Sequence, residues 1–140
     1  MTQVHGSQAG PADAVREYDD VRRVVQLFLD GEAKGDAAKL REASHPDARV
    51  FGSVGGTRYD MPIAEFIELA TKEPGDTGNH RARILSVQHT GDAAVAEVAE
   101  EGYWGSLSFI DYLQLARIEG TWKVVSKLFA HTGGDVAAGT

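Results

Sequence analysis

The segment Leu107-Ser108-Phe109-Ile110-Asp111-Tyr112-Leu113-Gln114-Leu115 sets one carboxylate among large apolar residues. Side chains alternate between the two faces of a strand, so Leu107, Phe109, Asp111, Leu113 and Leu115 share one face. An ionised carboxylate is costly to bury unless it is paired or takes up a proton. Its acidity is therefore open to tuning. A protonated aspartic acid can donate a hydrogen bond to a developing oxyanion, and an ionised one can act as a base. The next segment supplies a cation. Alternation puts Val125, Lys127, Phe129 and His131 on one face, and the tight turn at Glu119-Gly120 makes the two strands neighbours. Counted from that turn, Asp111 and Lys127 lie nearly opposite each other. There they form either a structural ion pair or the acid/base pair of a pocket.

A second proton-transfer group is expected from His45 or His131. Asp47 stands where it could orient His45, although a helix cap or turn is the first reading of the same two residues. His131 ends the last strand, at a candidate pocket mouth. His80 and His89, at or near strand ends, read as solvated. Tyr59 follows a glycine turn, where its phenol could meet a ligand. Tyr103 and Trp104, between glycines, line either a cavity or a dimer surface. Phe28, Phe51, Phe66, Leu107, Phe109, Leu113 and Phe129 complete an apolar lining. There is no phosphate-binding loop, Gly-x-Ser-x-Gly elbow or dinucleotide fingerprint. Nothing calls for a metal or a cofactor.

These residues must be carried by a small domain. Helical periodicity predicts helices over 14–34, with a stripe of Tyr18, Val21, Val25, Phe28 and Leu29, then over 37–43 behind Asp36 as N-cap, and over 62–72. A short strand is expected at 49–53 and a turn at 54–57. Strands follow at 81–89, 93–101, 107–118 and 122–131. Helices first and an antiparallel meander afterwards imply an α+β fold in which the strands curl around the helices and leave a cavity. Residues 1–13 and 133–140 are small and polar and read as tails, leaving one domain over 14–132.

With 140 residues and 42% hydrophobic content, the chain can build a real core. No apolar run approaches a membrane span. The absence of cysteine excludes disulfides, thiolate metal sites and cysteine nucleophiles, and a cytoplasmic location is the default expectation. A net charge of -7 opposes nucleic-acid binding, and Arg16, Arg22 and Arg23 read as a solvated helix face.

Gly31 with Gly35-Asp36, His45-Pro46-Asp47-Ala48, Phe109-Ile110-Asp111-Tyr112-Leu113, and Gly120-Thr121-Trp122-Lys123-Val124-Val125 with Lys127 and Phe129 together resemble the NTF2-like superfamily. The chain is most similar there to its lumazine-binding and SnoaL-like branches. The resemblance implies a cone-shaped fold, with N-terminal helices packed in a curved, mostly antiparallel sheet, and a homodimer. It spans roughly Tyr18 to His131. Asp111 aligns with the oxyanion aspartate of the resembling ketosteroid isomerases. Their tyrosine falls on Phe28 and their base near Gly52, neither of which can do that chemistry, so steroid isomerisation by that route is not expected. The expected function is a small-molecule enzyme of lyase or isomerase type, dehydratase- or cyclase-like, acting on an apolar metabolite in an enclosed pocket. Asp111, Lys127, His45 and His131 would be its catalytic groups. The alternatives are a non-catalytic binding module and a structural dimer.

Overall fold

The apolar stripe of the first helix seats it on the sheet. In the computed structural model, which describes residues 11–135, α1 runs Pro11–Lys34. It buries Val21, Val24, Val25, Phe28 and Leu29, whereas Tyr18, at the start of the stripe, is exposed. Proline suits the first turn of a helix, and α1 opens there, inside the expected tail. The remaining tail residues, 1–10 and 136–140, lie outside the described residues. Asp36 caps α2 (Ala37–Ala43) by accepting the Lys39 N–H at 3.1 Å. The third helix, α3 (Ile63–Lys72), buries Ile63, Phe66, Ile67 and Ala70, its predicted face.

Six strands form one sheet: β1 (Ser44–Val54), β2 (Thr57–Pro62), β3 (Asp76–Thr90), β4 (Ala93–Tyr103), β5 (Leu107–Ile118) and β6 (Thr121–Gly133). Their order is β2-β1-β6-β5-β4-β3. Only the β1–β6 pair is parallel. The helices share a core with inward side chains of the sheet, which is the expected cone-shaped α+β architecture. Three strands differ from the sequence reading. β1 begins at Ser44, five residues before its expected start. β2 is a strand where only a turn at 54–57 is expected; Met61 is its only buried residue, so it has little apolar alternation. β3 begins at Asp76, five residues early, because Asp76 to His80 are polar residues on a terminal strand of the sheet. No helix among the described residues is long and apolar enough to cross a membrane.

Glu119 and Gly120 take φ of 51° and 82°, the paired left-handed geometry of a tight hairpin turn. Ile118 therefore faces Thr121, and the register of β5 on β6 is set from there. Two breaks interrupt that register: Ser108 faces Gly133 but Phe109 faces His131, which leaves Thr132 as an extra residue, and nearer the turn Gln114 faces Ser126 but Leu115 faces Val124, so Val125 is an extra residue too, a β-bulge. The bulge reverses the alternation of β6 beyond it. Trp122 and Val124 join Lys127 as buried residues, which simple alternation forbids.

Gly52 is a close approach between β1 and β6. A Cβ there would lie 2.6 Å from the Phe129 ring and 2.6 Å from its carbonyl oxygen. Gly52→Ala is expected to cost about 1–3 kcal/mol, as overpacking usually does. Urea unfolding checks this, and an unchanged midpoint contradicts it.

Candidate functional site

β5 turns its expected face inward: Leu107, Phe109, Asp111, Leu113 and Leu115 are all buried. Asp111 is fully buried, yet neither of its oxygens meets a donor among the described residues. Asp111 and Lys127 are the charged groups lining an otherwise apolar pocket. Its walls include Tyr59, Phe66, Tyr103, Trp104, Phe109 and Phe129. The cavity these residues enclose has a volume of about 40 Å³. Phe109 packs edge-on against Tyr103 and Phe129, with centroids 5.6 and 5.4 Å away, which holds the rings of this wall in place.

Asp111 and Lys127 share the pocket face but do not pair directly. Phe129 faces Asp111 across the hairpin and Leu113 faces Lys127, so the two charges are diagonal neighbours. The expected cross-strand ion pair is therefore replaced by another. Lys127 Nζ donates to Glu32 Oε1 of α1 at 2.5 Å and lies 3.8 Å from Glu100 Oε2 of β4. Four rings surround the ammonium, the nearest being Phe66, with its centroid 5.0 Å away. Burial pushes the Lys127 pKa down, but Glu32, Asp111 and Glu100 outweigh it and hold the group well above the usual lysine value. Lys127 is thus a fixed ammonium, not a free amine.

Glu32, Glu100 and Asp111 each bring a carboxylate oxygen within 4.8 Å of the other two. Three like charges so close cannot all ionise without large cost. Burial, then the nearby charges of Glu32 and Asp111, raise the Glu100 pKa well above the ordinary range. Of the three, Glu100 is thus the carboxyl group pushed furthest toward holding a proton, and Asp111 is the one that lines the pocket. Burial and the charge of Glu32 likewise keep the Tyr103 phenol neutral. The carboxylate triad has the donors for a hard cation, but a divalent ion on it would share Glu32 with an ammonium 2.5 Å away. Repulsion at that range is strong in a buried site. The cation this triad suits is Lys127 itself.

Glu100 Oε1 is also 2.8 Å from His80 Nε2, and the His80 side chain is only 6% exposed. His80, expected to be solvated, is thus buried against the cluster. Its backbone is held by Asp76, whose Oδ1 accepts the Gly78 N–H at 2.8 Å and the His80 N–H at 3.4 Å. These bonds and the Lys34 ammonium at 3.0 Å lower the Asp76 pKa to about 2. A carboxylate with a depressed folded pKa adds stability above its unfolded pKa near 3.8, and that stability is lost as pH falls toward 2. Asp76→Ala is expected to melt below wild type at neutral pH, with the gap closing between pH 4 and pH 2. Calorimetry across that range checks it, and a gap that persists at pH 2 contradicts it.

The remaining sequence candidates lie elsewhere. His45 faces a separate groove with Arg41, Ser44 and Thr71. Its Nδ1 accepts the Asp47 N–H at 3.0 Å, which is the turn reading. His131 accepts the Gly55 N–H at 3.3 Å through Nδ1, and its Nε2 lies 2.6 Å from the Gly134 carbonyl oxygen. Both of its nitrogens are occupied in tying chain segments together. Phe28 and Leu113 are fully buried core, and Leu107 is buried beside Tyr103. Phe51 is 42% exposed on the outer face, because Val50 takes the inward position next to it.

Sequence reasoning missed Glu32, Glu100 and His80. Two of these carried a signal. Glu32 continues the α1 stripe, four residues after Phe28. Glu100 follows Ala94, Ala96 and Val98 on one face of β4, the same pattern that exposed Asp111.

The model of a family described as "Putative lumazine-binding" matches residues 16–130. Aldolase FrzH of Cladobotryum sp is 25% identical over 113 residues, which cover 81% of this chain and 90% of that protein. An NTF2-like protein of unknown function from Shewanella baltica is 27% identical, with a TM-score of 0.75 over 84% of this chain and 95% of its own. A ketosteroid isomerase-like protein from Erwinia carotovora atroseptica, 15% identical with a TM-score of 0.67, covers 82% of this chain and 95% of its own and shares the fold.

Proposed function

The chain belongs to this lumazine-binding-like family of the NTF2-like superfamily, and on that footing we propose that it is a cofactor-independent enzyme of lyase or isomerase type acting on an apolar carbonyl compound. The observation that carries this reading is Asp111: fully buried, unpartnered at both oxygens and lining an apolar pocket beside a fixed ammonium. A binding module would satisfy Asp111 with protein donors. An enzyme leaves it open to the substrate, at a cost in stability.

Asp111 removes a proton from the carbon next to the substrate carbonyl, or from a hydroxyl one carbon further along. Lys127 stabilises the negative charge that develops on the carbonyl oxygen. From the resulting enolate, loss of the β-hydroxyl as water, with the proton returned by Asp111 to the leaving oxygen, is a dehydration, and return of that proton to a different carbon is an isomerisation. Proton removal from the β-hydroxyl instead leads to carbon–carbon cleavage, the aldol reaction in reverse. The aldolase name of the Cladobotryum relative supports the lyase side. Schiff-base chemistry is not part of this reading, because Lys127 is held charged by Glu32.

The aldol adduct of benzaldehyde and acetone tests the proposal. Cleavage releases benzaldehyde, dehydration gives benzylideneacetone, and absorbance distinguishes the two. Formation of either above the buffer rate is expected, and neither forming contradicts the proposal. We further place a homodimer contact on the outer face of the sheet. Phe51, Leu128 and Tyr112 there form an exposed apolar row across β1, β6 and β5.

A further inference from the structure

A base with no exposed surface has to lose the proton it takes. Asp111 is fully buried, and the pocket beside it is walled by aromatic rings. One polar route leads away from it. Its carboxylate adjoins that of Glu100, and Glu100 Oε1 lies 2.8 Å from His80 Nε2. His80 sits on β3, a terminal strand of the sheet, between exposed Asn79 and Arg81.

We propose that Glu100 and His80 form a proton relay that resets Asp111 against solvent. The inference rests on Asp111 being the base. When Asp111 takes a proton from substrate, it hands that proton to Glu100. Glu100 releases its own proton to His80 Nε2, and the imidazolium gives up its Nδ1 proton to water. Three protons shift by one place and no electrons move; Asp111 and Glu100 regain their starting states, and His80, left with its proton on Nε2, returns to the Nδ1–H tautomer by exchange with water before the next turnover. His80 acts through Glu100 and is therefore a positioning residue for Asp111.

The groups facing this chain come from every element around it. Glu32 on α1 and Lys127 on β6 face Glu100, and Tyr103 on β4 packs edge-on to the His80 ring at 5.7 Å. Asp76, tied to Lys34 of α1, holds the His80 backbone. Glu32 and Lys127 form an ion pair, so the mobile proton stays on the Asp111–Glu100–His80 line.

The test is deuterium exchange into the α-positions of benzylacetone in heavy water, followed by NMR. This ketone has no hydroxyl to lose, so it reports proton transfer alone. Wild type is expected to exchange above the buffer rate. His80→Gln keeps a hydrogen bond to Glu100 but passes no proton, and exchange is expected to fall at least about tenfold, with benzylacetone affinity unchanged. Equal exchange in the two proteins overturns the relay and leaves the base in place. No exchange in wild type overturns the base and the relay together. If His80→Gln does not fold, the wild-type exchange rate in mixed light and heavy water decides. A bowed dependence on deuterium fraction is expected from several protons in flight, and a straight line overturns the relay.

Discussion

Asp111→Asn is expected to lower turnover by ~10²–10⁴-fold, the usual contribution of a general base, while the protein becomes no less stable. The two effects have one cause. Asp111 adds a negative charge to a buried cluster that already holds Glu32 and Glu100, and it accepts no hydrogen bond from its surroundings. Asparagine removes that charge and brings an NH₂ group beside carboxyl oxygens that lack donors, Glu32 Oε2 and Glu100 Oε2 among them. A satisfied buried bond is worth about 1 kcal/mol, so the melting temperature should stay level or rise. Had Lys127 been the partner of Asp111, the same substitution would have stranded an ammonium and cost ~3–5 kcal/mol. Kinetics on the benzaldehyde–acetone adduct together with calorimetry separate the cases. Unchanged turnover, or a large drop in stability, contradicts the assignment.

Lys127→Met is expected to have the largest effect on folding. Lys127 is the cation facing three buried carboxyl groups, and Glu32 has no other donor among the described residues. Removing one partner of a buried pair leaves an uncompensated charge and costs ~3–5 kcal/mol. A domain of this size has ~5–15 kcal/mol in total. Two controls bear on the cause. Adding Glu32→Gln to Lys127→Met should recover most of the loss, since nothing charged is then stranded. Lowering the pH should narrow the gap between Lys127→Met and wild type, because protonated carboxyl groups need no cation. Urea unfolding of the four proteins of this cycle provides the measurement. A Lys127→Met variant as stable as wild type contradicts the account.

The fold was legible where one physical signal dominated. The stripes of α1 and α3 and the alternation of β5 each required a single buried face, and each is found. Asp111 was visible for the same reason: a carboxylate inside a strict alternation has nowhere else to point. Lys127 was placed inward correctly, but its partner was not. Pairing across a hairpin depends on register, and the bulge at Val125 is a backbone event without a compositional signature. Glu32 and Glu100 come from a helix and a strand that meet Lys127 only in three dimensions, across 95 positions in the case of Glu32. His80 was hidden differently. It lies in a polar stretch that pairs as a terminal strand, and only the partner β4 tells which of its side chains turns inward. The aromatic wall was half legible. Aromatic residues announce burial, but Phe28 in the core and Tyr59 at the pocket differ only in what packs above them.

The account centres on a single proton distributed over a buried carboxyl cluster, held by Glu100 so that Asp111 remains the acceptor. Carbon-13 NMR of a sample labelled at its aspartate and glutamate carboxyl groups observes that proton directly. One carboxyl resonance should remain in its protonated position at neutral pH and disappear in Glu100→Gln. A spectrum in which every carboxyl group is ionised by neutral pH contradicts the central claim.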